Sequence, residues 1–385
     1  MPDDAPLLLD VSRLIWRRWK GRLPTGIDRV CLAYLRHFGD RSQAVVQHRL
    51  FRRILDPRAS KALFALLEGP QERFRWRLVM GILRHLGAGR SSDQRRLYLN
   101  VGHTGLDSDG YRAWAGKSDV RPVYLVHDLI PITHPQFCRP GEAERHRERM
   151  RTVLTTGTGV IGNSRATLDE LAEFAAAEGL PMPASHAAPL GVDLLPTHPA
   201  TELSGKPTFV ALGTIEGRKN HLLLLTIWSR LVDRLGSEAP RLLIIGQRGW
   251  EAERVFDLLD HSEELRDHVI ELNHCSDEEV AGYLSSARAL LFPSFAEGYG
   301  LPLVEALAAR VPVVASDLPV FRELCGDLPV YLRPDDESAW EASILDFAKP
   351  DSVERARQVK EMAAYRPPTW EEHFSSVEAW LQTLG

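Results

Sequence analysis

The sequence predicts an α/β protein of two domains, each a parallel sheet covered by helices. Three observations carry that expectation. Short apolar runs rich in Val, Ile and Leu recur at intervals filled by longer helical patterns, the habit of strands buried on both faces. The 385 residues, 44% hydrophobic and 26% charged, are enough for two cores of ordinary size. The stretch "PLGVDLLPTHPATELSGKPT" breaks the alternation with proline, glycine and polar residues, which places a linker between Pro189 and Pro207.

In the first half, strands are expected near Leu7 to Asp10, Arg96 to Asn100, Pro122 to Val126 and Val160 to Gly162. In the second half, "PTFVALG", "PRLLIIG", "HVIELN", "ARALLFP" and "VPVVAS" repeat the theme and read as one doubly wound sheet. The expected division is a first domain over 1–195, a second over 196–367 and a terminal helix over 368–385. Trp370, Phe374, Val377, Trp380, Leu381 and Leu384 recur at helical spacing, so that helix has an apolar face to bury, with the first domain as the expected partner.

From Arg49 to Arg96, twelve Arg and Lys face four acids, interleaved with "ALFALL" and "FRWRLVMGILRHL". This segment reads as a basic helical insertion with one apolar side. A solvated insertion is one reading, and contact with an anionic membrane surface, helped by "RLIWRRWKGR", is another. A polyanionic partner is the third.

The net charge of −5 is unlike that of a dedicated nucleic-acid binder. The four cysteines, Cys31, Cys138, Cys275 and Cys325, are scattered and form no CxxC pair, which fits a reducing compartment and no zinc motif. The first twenty residues lack a signal-peptide pattern, and no apolar run approaches the roughly 20 residues that span a bilayer. The expectation is a cytoplasmic protein whose membrane contact, where it exists, is peripheral on the inner face.

The chemistry concentrates at strand ends. In "PSFAEGYGLPLVEALAARVPVVASD", a loop bearing Glu297, Gly298 and Gly300 leads into a helix with Pro302 in its first turn, and Glu305 follows eight positions after Glu297. Free N–H groups at such a helix start attract anions, and glycines allow a ligand close to the backbone. Carboxylates beside that site suit sugar hydroxyls, although Glu305 also complements the positive helix end. In "LGTIEGRKN", Arg218 and Lys219 sit where a helix begins. They oppose its dipole unless an anion, most economically a diphosphate, lies between them; a solvated basic turn is the plain alternative.

In "VHDLIPITHP", His127 and Asp128 end a strand. His127 reads either as a packing histidine or as a group at a reacting centre, and Asp128 either as a cap or as an acceptor-side residue. His127, Asp128, His134 and His146 match no compact metal-ligand spacing, so no metal is expected. Near the N-terminus, Thr25, Gly26 and Asp28 of "LPTGIDRV" form either a helix entry or a turn over a ligand.

At these residues the sequence resembles the retaining GT-B glycosyltransferases of family 4. "EGYGLPLVEALAARVPVVASDLPVFREL" looks like the family's E-x7-E signature. "LGTIEGRKN", "VHDLIPITHP", "VIGNSRATLDEL" and "PLGVD" accompany it in the usual order, over most of Pro122 to Asp336.

The resemblance implies two Rossmann-like domains facing a cleft and a nucleotide diphosphate sugar as co-substrate, with no further cofactor. Carried over by position, Glu297 binds hexose hydroxyls, and Tyr299, Gly300 and Leu301 lend backbone contacts. Glu305 holds the ribose, Arg218 and Lys219 the diphosphate, Gly26 a phosphate from the first domain, and His127 the transferred sugar. The implied acceptor is a glycan or lipid-linked saccharide, with Thr25, Asp28, His103, Asp128, Arg139 and Arg149 as candidates on its side. GDP-mannose is the first donor to consider, with surface polysaccharide as the product. An epimerase of the same fold and a non-catalytic glycan-binding protein are the alternatives. The short "TGID" loop and the basic insertion depart from the family pattern.

Overall fold

The computed structural model describes residues 7–21, 25–48, 51–70, 74–84, 96–117, 120–193 and 205–384. The chain forms two compact units, one of Met1–Leu129, Glu144–Leu190 and Trp370–Gly385, the other of Ile130–Ala143 and Gly191–Thr369. Ile130–Ala143 thus leave the first unit directly after the strand that carries His127, and the chain returns to it at Glu144.

The first unit is built on β1 (Leu7–Asp10), β2 (Ser42–His48), β3 (Phe51–Ile54), β4 (Arg96–Asn100), β5 (Val120–Val126), β6 (Gly159–Gly162) and β7 (Ala184–Ala187). Their spatial order is β3-β2-β1-β4-β5-β6-β7, parallel except for the β2–β3 pair. β1, β4 and β6 are buried at every position, which is why they read as largely apolar runs, with Asp10, Arg96 and Asn100 as buried polar groups at strand ends.

The basic insertion was expected to be helical throughout, and here the structure corrects the reading. Phe51–Ile54 is an antiparallel edge strand, with Val45 opposite Ile54 and His48 opposite Phe51. Its branched and aromatic residues extend because β2 offers a free edge, a tertiary opportunity that local composition does not encode. Helices do follow at Pro57–Glu68, where the Asp56 carboxylate accepts from Arg58 N and Ala59 N, and at Phe74–Arg84.

The terminal helix, Trp370–Thr383, packs within the first unit as its apolar face predicts. Phe374 stacks on His37 at 4.0 Å between ring centroids and meets Tyr34 and Phe38 edge-on. His373 bridges two elements: Nδ1 lies 3.0 Å from the Pro189 carbonyl and must donate to it, which leaves Nε2 to accept from the Tyr34 hydroxyl at 3.0 Å. Burial lowers this histidine to about 4, so it is neutral in that role.

The second unit is built on β8 (Thr208–Leu212), β9 (Arg241–Ile245), β10 (Val269–Leu272), β11 (Ala289–Phe292), β12 (Val313–Ser316) and β13 (Val330–Leu332). All are parallel, in the order β10-β9-β8-β11-β12-β13. Phe209, Leu242, Ile244 and Leu291 meet Leu224 and Trp228 of helix His221–Leu235 and Trp340, Ile344 and Phe347 of helix Glu337–Ala348 in one core. The order reverses between β8 and β11. In an open parallel sheet that is where the loops leaving the strand ends part and open a crevice for a ligand.

Candidate active site

"LGTIEGRKN" follows β8 and "PSFAEGYG" follows β11, so the two stretches singled out in the sequence lie side by side at that switch point. The first is held by a ladder that outruns the strands. Gly213 N donates to Ile245 O at 2.9 Å, Ile215 N to Gln247 O at 2.9 Å and Gly217 N to Trp250 O at 3.2 Å. A side chain at 217 would begin 2.6 Å from the Glu251 carbonyl oxygen, so only glycine lets the loop pass. Gly217–Lys219 then form one 3-10 turn, Asn220 turns through φ +57°, and the helix His221–Leu235 begins.

The ladder delivers Arg218 and Lys219 to Glu297. Arg218 Nη1 lies 2.8 Å from Glu297 Oε2 and Nη2 lies 2.6 Å from Glu216 Oε1. Lys219 Nζ lies 2.5 Å from Glu297 Oε1 and 4.5 Å from the centre of the Phe292 ring. Ser294 donates its hydroxyl to Glu297 Oε1 at 2.7 Å, and Arg218 Nη1 also donates to the Ala296 carbonyl at 2.9 Å. Two cations and two carboxylates therefore balance in a largely buried cluster.

Burial alone would raise the Glu297 carboxyl. Arg218, Lys219 and the Ser294 hydroxyl outweigh it and bring the group down to about 2. Burial pushes Lys219 below its ordinary value despite Glu297, and pushes Glu216 up despite Arg218. Glu297 gains from the contact while Lys219 bears a net desolvation cost. Such a balance suits an anion site better than a stabilising bridge.

Beyond Glu297 the chain turns at Gly300, φ +93°, where a side chain would begin 2.6 Å from the Phe321 ring. Tyr299 is buried, Leu301 opens the helix Leu301–Ala308, and Glu305 lies buried one turn further on. Arg139, from the segment that the second unit includes, stacks on Trp250 at 5.1 Å.

In the first unit the switch point falls between β1 and β4. Three histidines gather near it. His103, at φ +56°, lies 2.8 Å through Nε2 from Leu125 O; His127 lies 2.7 Å from Val101 O; His146 lies 3.1 Å from Asp128 O. A carbonyl only accepts, so each Nε2 donates, and in the neutral rings of His103 and His127 Nδ1 is left as an acceptor. Burial lowers His127 to about 4 and holds His103 well below the ordinary value, so both rings are neutral at pH 7. Arg149 reaches Asp107 at 3.3 Å. Among the described residues, no three His, Cys, Asp or Glu side chains converge to hold a metal ion.

Thr25 and Asp28 make a capping box at the helix Gly26–Phe38, whose first residue is Gly26. Asp28 accepts from Thr25 N at 2.7 Å and pairs with Arg13 at 2.7 Å and Arg17 at 3.0 Å. This buried carboxylate is met by the protein's own donors. Arg13 and Glu216 were not singled out in the sequence. Glu216 had a signal, an acid two positions before Arg218, whereas nothing local linked Arg13 to Asp28.

Sheet order gives the chain a GT-B-like fold, and residues 197–364 match the family model described as Glycosyl transferases group 1. The chain is 28% identical over 222 residues to the serotype-specific mannosyltransferase WbdA of Escherichia coli, covering 52% of this chain and 26% of WbdA. It spans about a quarter of that relative's length. It is also 28% identical over 264 residues to the O-antigen chain mannosyltransferase B of Escherichia coli, covering 65% of this chain and 67% of that protein. Among solved structures, Anabaena HepE in complex with UDP and glucose superposes with a TM-score of 0.67 at 14% identity, covering 98% of this chain and 99% of HepE.

Proposed function

We propose that the protein transfers a hexose, with retention at the anomeric carbon and without a metal ion, from a nucleotide diphosphate sugar to a glycan or lipid-linked saccharide in surface polysaccharide assembly. The observation that carries this reading is the Arg218–Glu297–Lys219 cluster at the switch point of the second sheet. The mannosyltransferase relatives favour GDP-mannose as donor.

As the glycosidic bond breaks, negative charge gathers on the leaving diphosphate, and Arg218 with Lys219 stabilises it there. The departing phosphate oxygen takes the acceptor's proton. Glu297 orients hexose hydroxyls, Glu305 holds the ribose, and the backbone at Tyr299, Gly300 and Leu301 meets sugar and phosphate. His127, neutral and committed through Nε2 to Val101 O, serves the transferred sugar as an Nδ1 hydrogen-bond acceptor rather than as an acid. Gly26 is assigned to the donor phosphate. Thr25, His103, Asp128, Arg139 and Arg149 are assigned to the acceptor side.

With a panel of sugar nucleotides and a saccharide acceptor, GDP-mannose is expected to give the fastest transfer, with product and donor sharing one anomeric configuration by NMR. An inverted product removes retention. An epimerised sugar nucleotide formed without acceptor replaces the transferase reading with the epimerase.

The acceptor class suggests work at the inner face of the plasma membrane. Among the described residues no helix is long and apolar enough to cross a membrane, and helix Phe74–Arg84 exposes Trp76 and Val79 beside Arg75 and Arg77. That face is assigned to an anionic bilayer. Replacing Arg75 and Arg77 with glutamate is expected to release the protein from phosphatidylglycerol vesicles in co-sedimentation. Unchanged partitioning removes the assignment.

A further inference from the structure

We infer that Glu216 is a positioning residue for the proposed transfer: its carboxylate splints the Arg218 guanidinium in the orientation that receives the donor diphosphate. The inference rests on the reading of Arg218 and Lys219 as the diphosphate-binding pair.

The geometry separates the two carboxylates of the cluster by task. Glu297 touches both cations, whereas Glu216 meets Arg218 alone, at 2.6 Å through Nη2. Arg218 is thereby gripped at both ends of its fork, Nη2 by Glu216 and Nη1 by Glu297 and the Ala296 carbonyl. A guanidinium held by several charge-assisted bonds keeps one plane, and a fixed plane is what bidentate recognition of phosphate requires.

Glu216 is itself fixed by backbone. Ile215 pairs with Arg248 in a parallel bridge, Gly249 N donates to Ile215 O at 2.9 Å, and Lys219 N donates to Glu216 O at 2.9 Å. Glu216 keeps 4% of its side chain exposed, against 22% for Arg218. The rigid, buried acid therefore holds the more accessible cation. The charged groups that act on it are Arg218 and Lys219 on its own loop and Glu297 from the loop after β11, while Arg248 and Glu251, from the loop after β9, pack against this loop through their backbone. Arg248 is engaged by Asp260 and Glu271.

The test measures binding of GDP, UDP and inorganic pyrophosphate by calorimetry, and donor KM and kcat across pH, for wild type, Glu216→Ala, Glu216→Gln and Glu216→Asp. Removing one charge-assisted hydrogen bond predicts a rise of about tenfold in donor KM for Glu216→Ala, a smaller change in kcat, and partial rescue by Glu216→Asp. Protonating Glu216 loosens the same grip, so wild-type donor KM is expected to climb as pH falls through the raised Glu216 value; Glu216→Gln has no such limb. Wild-type KM and an unchanged pH profile in Glu216→Gln overturn the inference. Arg218→Ala and Lys219→Ala serve as controls. If they bind all three probes as wild type does, the diphosphate reading fails; if they lose binding while Glu216→Ala keeps it, only the positioning role fails.

Discussion

Alanine in place of Lys219 is expected to lower kcat by about 10² to 10³, the loss typical of removing one preorganised donor from a developing anion, while thermal stability falls less than on loss of Glu297. The asymmetry follows from burial. Lys219 lies with 10% of its side chain exposed, and that burial lowers its pKa despite a carboxylate at 2.5 Å. Part of what the ion pair gives Glu297 is therefore offset by the desolvation of Lys219 itself. Removing it leaves Glu297 held by Arg218 and Ser294. Kinetics with the preferred donor and a melting curve read the two effects separately, and wild-type turnover in the variant would remove the diphosphate assignment.

Glu297→Ala is expected to lower both turnover and stability. It takes the shared partner from two cations, one of them buried, and breaking such a pair from one side costs about 3–5 kcal/mol. The pH dependence has a definite sign. The Glu297 carboxyl falls from its ordinary 4.5 to about 2 in the folded protein. A depressed carboxylate contributes stability that is fully present above the unfolded value and is lost as pH falls through the folded one. Melting temperatures of wild type and Glu297→Gln are therefore expected to converge between about pH 4.5 and 2. A constant gap across that window would assign the variant's defect to something other than charge.

The strands buried on both faces were legible because such burial favours apolar residues along most of each strand. Leu7–Asp10, Arg96–Asn100 and the five runs of the second half all fall where the sequence placed them. β2 was missed because its interior positions include Gln43 and Gln47, whose buried amides are satisfied by Leu55 O and by Asp10, Tyr98 and Thr104 O. β7, "ASHA", and β13, "VYL", are edge strands too short for an apolar run to stand out. At the site, residue types and order were readable but pairing was not. The sequence suggested that Arg218 and Lys219 await an anion, whereas two carboxylates of the chain itself already accompany them. That contact joins residues about 80 positions apart through sheet order, which no local pattern contains. Asp28 is a candidate ligand group that also closes a helix entry, the alternative the sequence offered beside it.

The terminal helix has a consequence for biosynthesis. A chain leaving the ribosome makes the strands of the first sheet before those of the second, and makes Trp370–Thr383 after both. Until then Tyr34, His37 and Phe38 lack the aromatic partner they meet in the finished protein. The half translated first is thus sealed only after the second half is made, and a chain cut before Trp370 leaves open a surface laid down more than 300 residues earlier.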